Sequence, residues 1–354
     1  MNPSVLIVYV QLGGNPSPTL RHYSKINSRS ILDSKSVLIT DNPTEHVDFP
    51  GDVISYTGEK SLEGFIKYTK RNQAYSNVAG GYWRFTMERL FALKILDEQY
   101  AENCPVLHLE SDVLLLLDNT TLEKIKQKIL ITSVPRFSSS DGIASILFAP
   151  SIRQLGQDLL KLDSILADNL DVSSDMELLG LGLKHGVFGE LPSHPRDALV
   201  VDVGDGQSTI HVVFDGAAYG QYLFGLDPVH TSNRVISGYL NPNFRLNLSQ
   251  AHWSIKRRKD LLRPSFSWEN RVYEVVNIHM HSKLLIDPSS SLMWDNILDE
   301  ANGLSIRTAG PIVEDLIHTI PSRYIDRIRL IRRRGLRQSI YNRVIRGLRK
   351  ISPK

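Results

Sequence analysis

Two carboxylates one residue apart, Glu110 and Asp112, follow the apolar run Val106-Leu-His-Leu109 and precede a second apolar run that begins at Val113. Acids at the carboxyl end of a buried strand mark a ligand site in α/β proteins. Such a pair suits a hard divalent cation that in turn binds a diphosphate, with Asp112 as the ligand and Glu110 beside it. The competing account is a solvated turn, and the apolar residues in front of the acids weigh against it. His279 and His281 also stand one residue apart at the end of an apolar run, and Lys283 follows them. Strand alternation directs both imidazoles to one side, where they can serve a metal, while the lysine can neutralise a phosphate. The alternative packs one histidine in the core and leaves the other on the surface.

Further acids could handle a proton. Asp175 and Glu177 sit in Ser174-Asp175-Met176-Glu177, a segment that reads as a loop entering a helix. There a carboxylate either caps the helix or removes a proton from a hydroxyl. Asp215 and Asp227 compete for the second role, in a stretch over 214–228 that mixes glycines, aromatics and acids. The glycines of that stretch also suit plain turn geometry.

These residues need a scaffold, and the pattern supplies one. Apolar segments over 5–10, 36–40 and 52–56 alternate with helix-like segments in βαβ rhythm. A helix is expected over 82–100, where Phe85, Leu90, Phe91, Leu93, Ile95 and Leu96 give an apolar face between Arg84, Glu88, Arg89 and Lys94. It feeds the strand that ends at Glu110. Helices are expected near 122–129 and 151–167, and strand-like runs over 129–132, 143–148 and 272–278. Past residue 177 the chain reads as loop-rich.

The 354 residues are 42% hydrophobic and 22% charged, which fits neither a disordered chain nor one embedded in a bilayer. The first apolar run lacks a basic region before it and a small-residue cleavage site after it, so it reads as a buried strand and not a signal peptide. No apolar run approaches the roughly 20 residues that cross a bilayer. A single cysteine, Cys104, excludes an internal disulfide and a cysteine-based zinc site, and makes reducing cytoplasm the expected compartment.

The net charge of +3 conceals a split. Residues 321–354 hold 12 Lys and Arg against one acid, a charge of +11, which leaves 29 basic and 37 acidic residues, or −8, in 1–320. Within that tail Ile340, Tyr341, Val344, Ile345, Leu348 and Ile351 share one helical stripe, with Arg343, Arg346, Arg349 and Lys350 mostly off it. A basic amphipathic C-terminal helix suits an anionic membrane surface, at roughly 1 kcal/mol per basic residue. The acidic body argues against nucleic acid as the partner, and none is expected.

Together, the first strand, a second ending at Asp41 and Asn42, the acid triplet and the late His279-Met-His281-Ser-Lys283 segment resemble a GT-A-type nucleotide-diphospho-sugar glycosyltransferase. Glu110-Ser-Asp112 stands where that superfamily has Asp-x-Asp. The resemblance implies a GT-A, Rossmann-like α/β fold, a mixed sheet with flanking helices, and a hexosyltransferase-class enzyme using a nucleotide-diphospho-sugar donor with Mn²⁺ or Mg²⁺. It also implies Asp112 and His281 as metal ligands, with Glu110 beside them and His279 as the alternative histidine. Tyr9, Val10, Gln11, Asp41 and Asn42 occupy strand ends that hold base and ribose in similar enzymes. Arg84 or Arg89 could reach phosphate, where the rival account is a solvated helix face, and Asp141 falls in a segment similar to one near the donor sugar. The residues over 214–228 resemble an Asp-Gly…Gly-Gln-Tyr-Leu…Gly-Asp-Pro pattern of bacterial polysaccharide-related transferases. The chain departs from the superfamily in the Glu of its triplet and in lacking a Gly-x-x-Lys-Pro-Trp ending.

The expected organisation is a glycosyltransferase domain over 1–320, with a nucleotide-binding half (1–118) and an acceptor and metal-completing half (119–320), and a basic tail over 321–354. The acceptor would be a glycan or lipid-linked glycan, the candidate bases Asp175, Glu177 and Asp227, and the location the cytoplasmic face of a membrane. Two rivals stand beside this. One is a non-catalytic carbohydrate-binding or assembly protein with the same fold. The other is a nucleotide-sugar pyrophosphorylase or hydrolase, whose basic Gly-rich nucleotide loop is missing from Gln11-Leu-Gly-Gly-Asn15.

Overall fold

The computed structural model describes residues 3–14, 17–58, 62–72, 82–202, 209–226, 238–244, 246–258 and 261–302. The basic tail and its expected helix lie outside them, and among the described residues no helix is long and apolar enough to cross a membrane.

In chain order the first half holds β1 (Val5–Gln11), α1 (Pro18–Ser30), β2 (Ser34–Thr40), β3 (Asp52–Ser55), α2 (Glu63–Arg71), α3 (Tyr82–Ala92), β4 (Val106–Leu109), β5 (Val113–Leu115) and α4 (Asn119–Lys128). β6 (Ser133–Pro135), β7 (Ile146–Ala149), α5 (Ile152–Asp168), α6 (Asp175–Lys184) and β8 (Gly189–Leu191) complete the main body. A seven-stranded mixed sheet runs β3-β2-β1-β4-β7-β6-β8, with β3, β2, β1 and β4 parallel and β7 antiparallel to both neighbours. The start of β1 is buried on both faces, which explains why Val5-Leu-Ile-Val is apolar without alternation. Leu6 and Val8 pack under α3, α5 and α6, while Val5, Ile7 and Tyr9 face α1 and α4.

Several expected elements shift. α3 ends at Ala92, and the remainder of the expected helix is a 3-10 turn (Leu93–Ile95) and one helical turn (Leu96–Gln99). The strand expected over 129–132 begins only at Ser133, leaving Leu130 and Ile131 exposed. The segment expected to be loop-rich instead builds β9 (Leu199–Asp202), β10 (Thr209–Val213), α7 (Ala218–Phe224), β11 (His252–Arg258) and β12 (Leu261–Trp268), and the strand expected over 272–278 is present as β13 (Arg271–Val275) and β14 (Asn277–His279), ahead of α8 (Ser291–Ala301). β11-β12-β13-β10-β9 form a second sheet whose inner face packs on α7 and α8. Its edge strand β11 carries exposed Lys256 and Arg257, which blunt the edge and hide the strand's apolar signal.

One buried cation joins this second sheet to the first body. Arg263 of β12 is fully buried, donating from Nε to the Leu116 carbonyl at 2.6 Å and from Nη2 to Asp118 at 2.6 Å. Nη1 reaches Glu274 at 3.1 Å. Asp118 also caps α4 by accepting from the Thr121 N–H. Removing the guanidinium strips Asp118 of its cation in the interior and leaves Glu274 with Arg258 alone, whose Nε donates to it at 2.9 Å. Arg263→Met should therefore destabilise the protein by about 3–5 kcal/mol, read as a lower urea midpoint. An unchanged midpoint would show that the two sheets are held together by apolar packing alone.

Candidate functional site

The site is assembled by backbone pairing. β5 and β14 form a separate antiparallel ribbon in which His279 faces Val113, and the pairing continues with the Met280 N–H donating to the Asp112 carbonyl at 2.8 Å. On the other flank the Glu110 N–H donates to the Ser145 carbonyl at 3.0 Å. The turn carrying both acids is thus held between β7's approach and β14, and it presents its carboxylates to the late histidine.

His279 Nε2 lies 3.2 Å from Glu110 Oε2 and 3.4 Å from Asp112 Oδ1. Its Nδ1 lies 2.9 Å from the Gly216 carbonyl, so Nδ1 donates there and Nε2 is turned to the acids. Glu110, Asp112 and His279 each offer a ligand atom, all within 4.8 Å of one another. Among the described residues these three are the group compact enough to hold an ion. Burial disfavours the carboxylates' charge, yet Arg89 and His279 hold Glu110 below the usual carboxylate range, and Lys283 and His279 hold Asp112 well below it. Burial would lower the His279 pKa, but Asp112 and Glu110 raise it to about 9.

His281 stacks on His279, with ring centroids 3.9 Å apart, and lines the same cleft. Lys283 forms an ion pair with Asp112 and adopts a left-handed backbone (φ 58°), uncommon for a side-chain-bearing residue and frequent near functional sites.

Behind His279 sits Asp215, fully buried. It accepts the N–H of Tyr219 (3.0 Å), Gly220 (2.8 Å) and His279 (2.9 Å), fixing the start of α7 against β14. Burial pushes its carboxyl up to about 6 even against these donors. Gly220 permits the approach, since a Cβ there would lie 2.1 Å from the His279 carbonyl oxygen. Asp215 is therefore a scaffold residue and no competitor for a proton-transfer role.

The opposite wall is set by α3 and α6. Arg89 of α3 pairs with Glu110 through one nitrogen and with Asp175, the first residue of α6, through the other at 2.6 Å. Burial raises the Asp175 carboxyl, with Arg89 opposing that rise. Glu177 points elsewhere: Ser174 Oγ accepts its N–H at 3.2 Å, and its carboxylate accepts both the N–H and the hydroxyl of Ser173 at 2.8 Å. It closes the helix end in the manner of a capping box.

A cleft of about 590 Å³ opens over these groups, in the size range of small-molecule sites. It is lined by Glu110, Asp112, His279, His281, Lys283, Arg89 and Asp175, with Val10, Gln11, Leu12 and Gly13 at one end. Gly13 turns with φ 67° and approaches Phe85 so closely that a Cβ would lie 2.0 Å from its ring. Its N–H donates to Asp41 at 3.0 Å, so Asp41 anchors the loop bounding the cleft. Asn42 accepts from the Thr44 hydroxyl at 3.1 Å beside it.

Three expected site residues lie away from the cleft. Tyr9 is corrected to a core residue: neighbours in a strand face opposite sides, and its ring turns away from the cleft so that its hydroxyl accepts from Asn27 Nδ2 at 2.8 Å. Arg84 lies outside the cleft lining, donating to Glu88 at 3.2 Å and resting against Phe85. Asp141 closes its own loop by accepting from the Ser138 hydroxyl at 2.5 Å. Asp227 lies outside the described residues.

No family's sequence profile matches the chain, and no curated protein matches it. Among solved structures it is similar to the PaToxG glycosyltransferase, at 13% identity and TM-score 0.35 over 52% of this chain and 70% of that one. It is also similar to the glycosyltransferase GlyE of Streptococcus pneumoniae TIGR4, at 16% identity and TM-score 0.32 over 54% of this chain and 45% of that one. A third likeness is to apo mouse xyloside xylosyltransferase 1, at 9% identity and TM-score 0.33 over 53% and 85%. At such scores a likeness is descriptive only.

Asp215→Asn turns an NH₂ group or a single carbonyl toward donors that now meet two carboxylate oxygens. Each N–H left without an acceptor costs about 1–3 kcal/mol. The expected result is a lower thermal midpoint together with faster amide exchange at Gly220 and His279. Exchange at wild-type rates would remove Asp215 from the support of the histidine.

Proposed function

We propose that this protein is a metal-dependent glycosyltransferase of the GT-A type, moving a sugar from a nucleotide-diphosphate donor to a glycan or glycolipid acceptor. One observation carries the reading: a buried and a half-buried carboxylate, an imidazole, a lysine and an arginine converge on one cleft, from segments of the chain far apart in sequence. The donor set of Glu110, Asp112 and His279 fits a hard divalent cation such as Mn²⁺ or Mg²⁺. His281 backs the imidazole ligand. When bound, the cation would offset the charge of the donor diphosphate.

The chain's own residues supply the rest. Lys283 exchanges its contact with Asp112 for a phosphate oxygen, stabilising the negative charge that grows on the departing nucleoside diphosphate. Val10, Gln11 and the loop tied by Asp41, with Asn42 beside it, form the end of the cleft where base and ribose sit. As the bond from the anomeric carbon to the diphosphate oxygen breaks and that to the acceptor oxygen forms, the acceptor's proton passes to a carboxylate. Asp175 lines the cleft and Glu177 does not, so Asp175 is the base assigned here. Arg89 holds it in place and opposes the rise that burial gives its carboxyl, which suits a proton acceptor. The basic segment 321–354 would hold the enzyme on an anionic membrane, on its cytoplasmic face, beside a lipid-linked acceptor.

Calorimetry with a panel of nucleotide sugars tests the central claim. Wild type should bind one donor with Mn²⁺ or Mg²⁺. Chelation or Asp112→Ala should weaken that binding by roughly 100-fold, on the order of what loss of metal-site residues costs. A folded protein that binds no donor under any metal overturns the reading in favour of a non-catalytic carbohydrate-binding protein. For the tail, flotation with phosphatidylglycerol vesicles should recover the full chain at low salt and lose it at high salt or on deletion of 321–354. Equal recovery with neutral vesicles would refute an electrostatic anchor.

A further inference from the structure

We infer that a shelf of aromatic side chains beside the cleft binds an extended oligosaccharide acceptor, an inference that rests on the transferase reading above. Phe137 lines the reaction cleft and also a small neighbouring recess bounded by Gly216, Tyr219, Asn241 and Phe244. The two spaces are joined a second time by a hydrogen bond from Asn241 Nδ2 to Gln221 Oε1 at 2.8 Å, since Gln221 lines the cleft and Asn241 the recess. Beyond the recess the aromatic surface continues. The His194 ring lies 6.0 Å from Phe244 and 5.7 Å from Trp268, and the Arg196 guanidinium lies 5.7 Å over the Trp268 ring.

Core packing accounts for the buried rings here, Tyr219, Trp253 and Phe266, and holds the inner sides of Phe244 and Trp268, which leave their outer sides exposed. Phe137, Phe244, His194 and Trp268 are half-buried and Arg196, over the Trp268 ring, is exposed, so part of each ring and a forked donor meet solvent together. A pyranose has the matching chemistry, with a C–H face for the rings and a hydroxyl rim for arginine and amide groups. The shelf is pre-formed: Phe244 packs edge-on against buried Tyr219 at 5.3 Å, and the Tyr219 hydroxyl donates to the Ser193 carbonyl at 2.7 Å. Fixed rings lose little freedom when a ligand stacks on them. The His194 ring is inclined 54° to Phe244 and 81° to Trp268, so the centroid steps of 6.0 and 5.7 Å make a faceted surface longer than one sugar ring, which suits a chain and not a free monosaccharide.

The test uses the full chain and immobilised β-linked oligomers of glucose, galactose and N-acetylglucosamine, from monosaccharide to hexasaccharide. Wild type should retain at least one series with affinity that rises with length. Trp268→Ala and Phe244→Ala, each verified as folded by circular dichroism, should lose about tenfold or more of that affinity, as expected for one lost stacking contact. Trp268→Phe should keep most of it, and donor binding with Mn²⁺ should remain in all three. The inference is overturned if no oligomer is retained, if monosaccharides bind as well as hexasaccharides, or if the alanine variants bind like wild type. Wild type that binds no nucleotide sugar defeats the transferase reading itself, whereas donor binding without length-dependent retention defeats only the shelf.

Discussion

Everything at the site depends on the short antiparallel ribbon between β5 and β14. Asp112 and Lys283 are 171 positions apart, and they meet because β14 pairs beside the acid turn. The register matters as much as the pairing. A one-residue slip would turn His279 to the opposite face and bring Ile278 to the acids, replacing a ligand by a hydrocarbon. The ribbon is itself insured from behind by Asn277, whose side-chain amide accepts the Asp215 N–H and donates to the Asp215 carbonyl, and by the Asp215 carboxylate, which accepts the His279 N–H.

The second governing feature is charge balance in a buried place. Glu110, Asp112 and Asp175 are all withdrawn from water, a costly arrangement for three carboxylates. Arg89, His279 and Lys283 offset them in a chain of alternating sign, from Asp175 through Arg89 and Glu110 to His279, Asp112 and Lys283. Apolar residues of similar size would fold at lower cost. Retaining six ionisable groups around one cleft makes sense when the chemistry needs charge, and strongly perturbed carboxylates and histidines cluster in such places.

The sequence carried the centre of the site better than its surroundings. Acids after the buried run ending at Leu109, and histidines after the run ending at Ile278, each have a bland account taken singly and gain their meaning in combination, and both segments reached the cleft. Tyr9 was misplaced because three consecutive strand residues were assigned to one ligand, although alternation lets neighbours share a face only at every second position. Asp215 resembled a catalytic acid because nothing local announces that its carboxylate will be consumed by backbone donors, two in the helix that follows and one, His279, from a distant strand. Glu177 carried its own signal, a Ser three positions earlier, in competition with the chemical reading. The second sheet was hidden by polar strands, and by Arg263, which looks like an exposed interruption of β12 and is in fact its most buried charge.

That β14 arrives so late in the chain bears on synthesis. A polypeptide leaving the ribosome displays Glu110 and Asp112 long before the imidazole that meets them exists. Any fragment ending before residue 277 would hold two acids with neither His279 nor Lys283 to balance them, and an open strand edge along β5. Premature termination or proteolytic clipping before residue 277 would thus yield species whose acid turn lacks its imidazole and lysine partners and whose β5 edge is unprotected. In this protein the completeness of the chain and the competence of the site are one event.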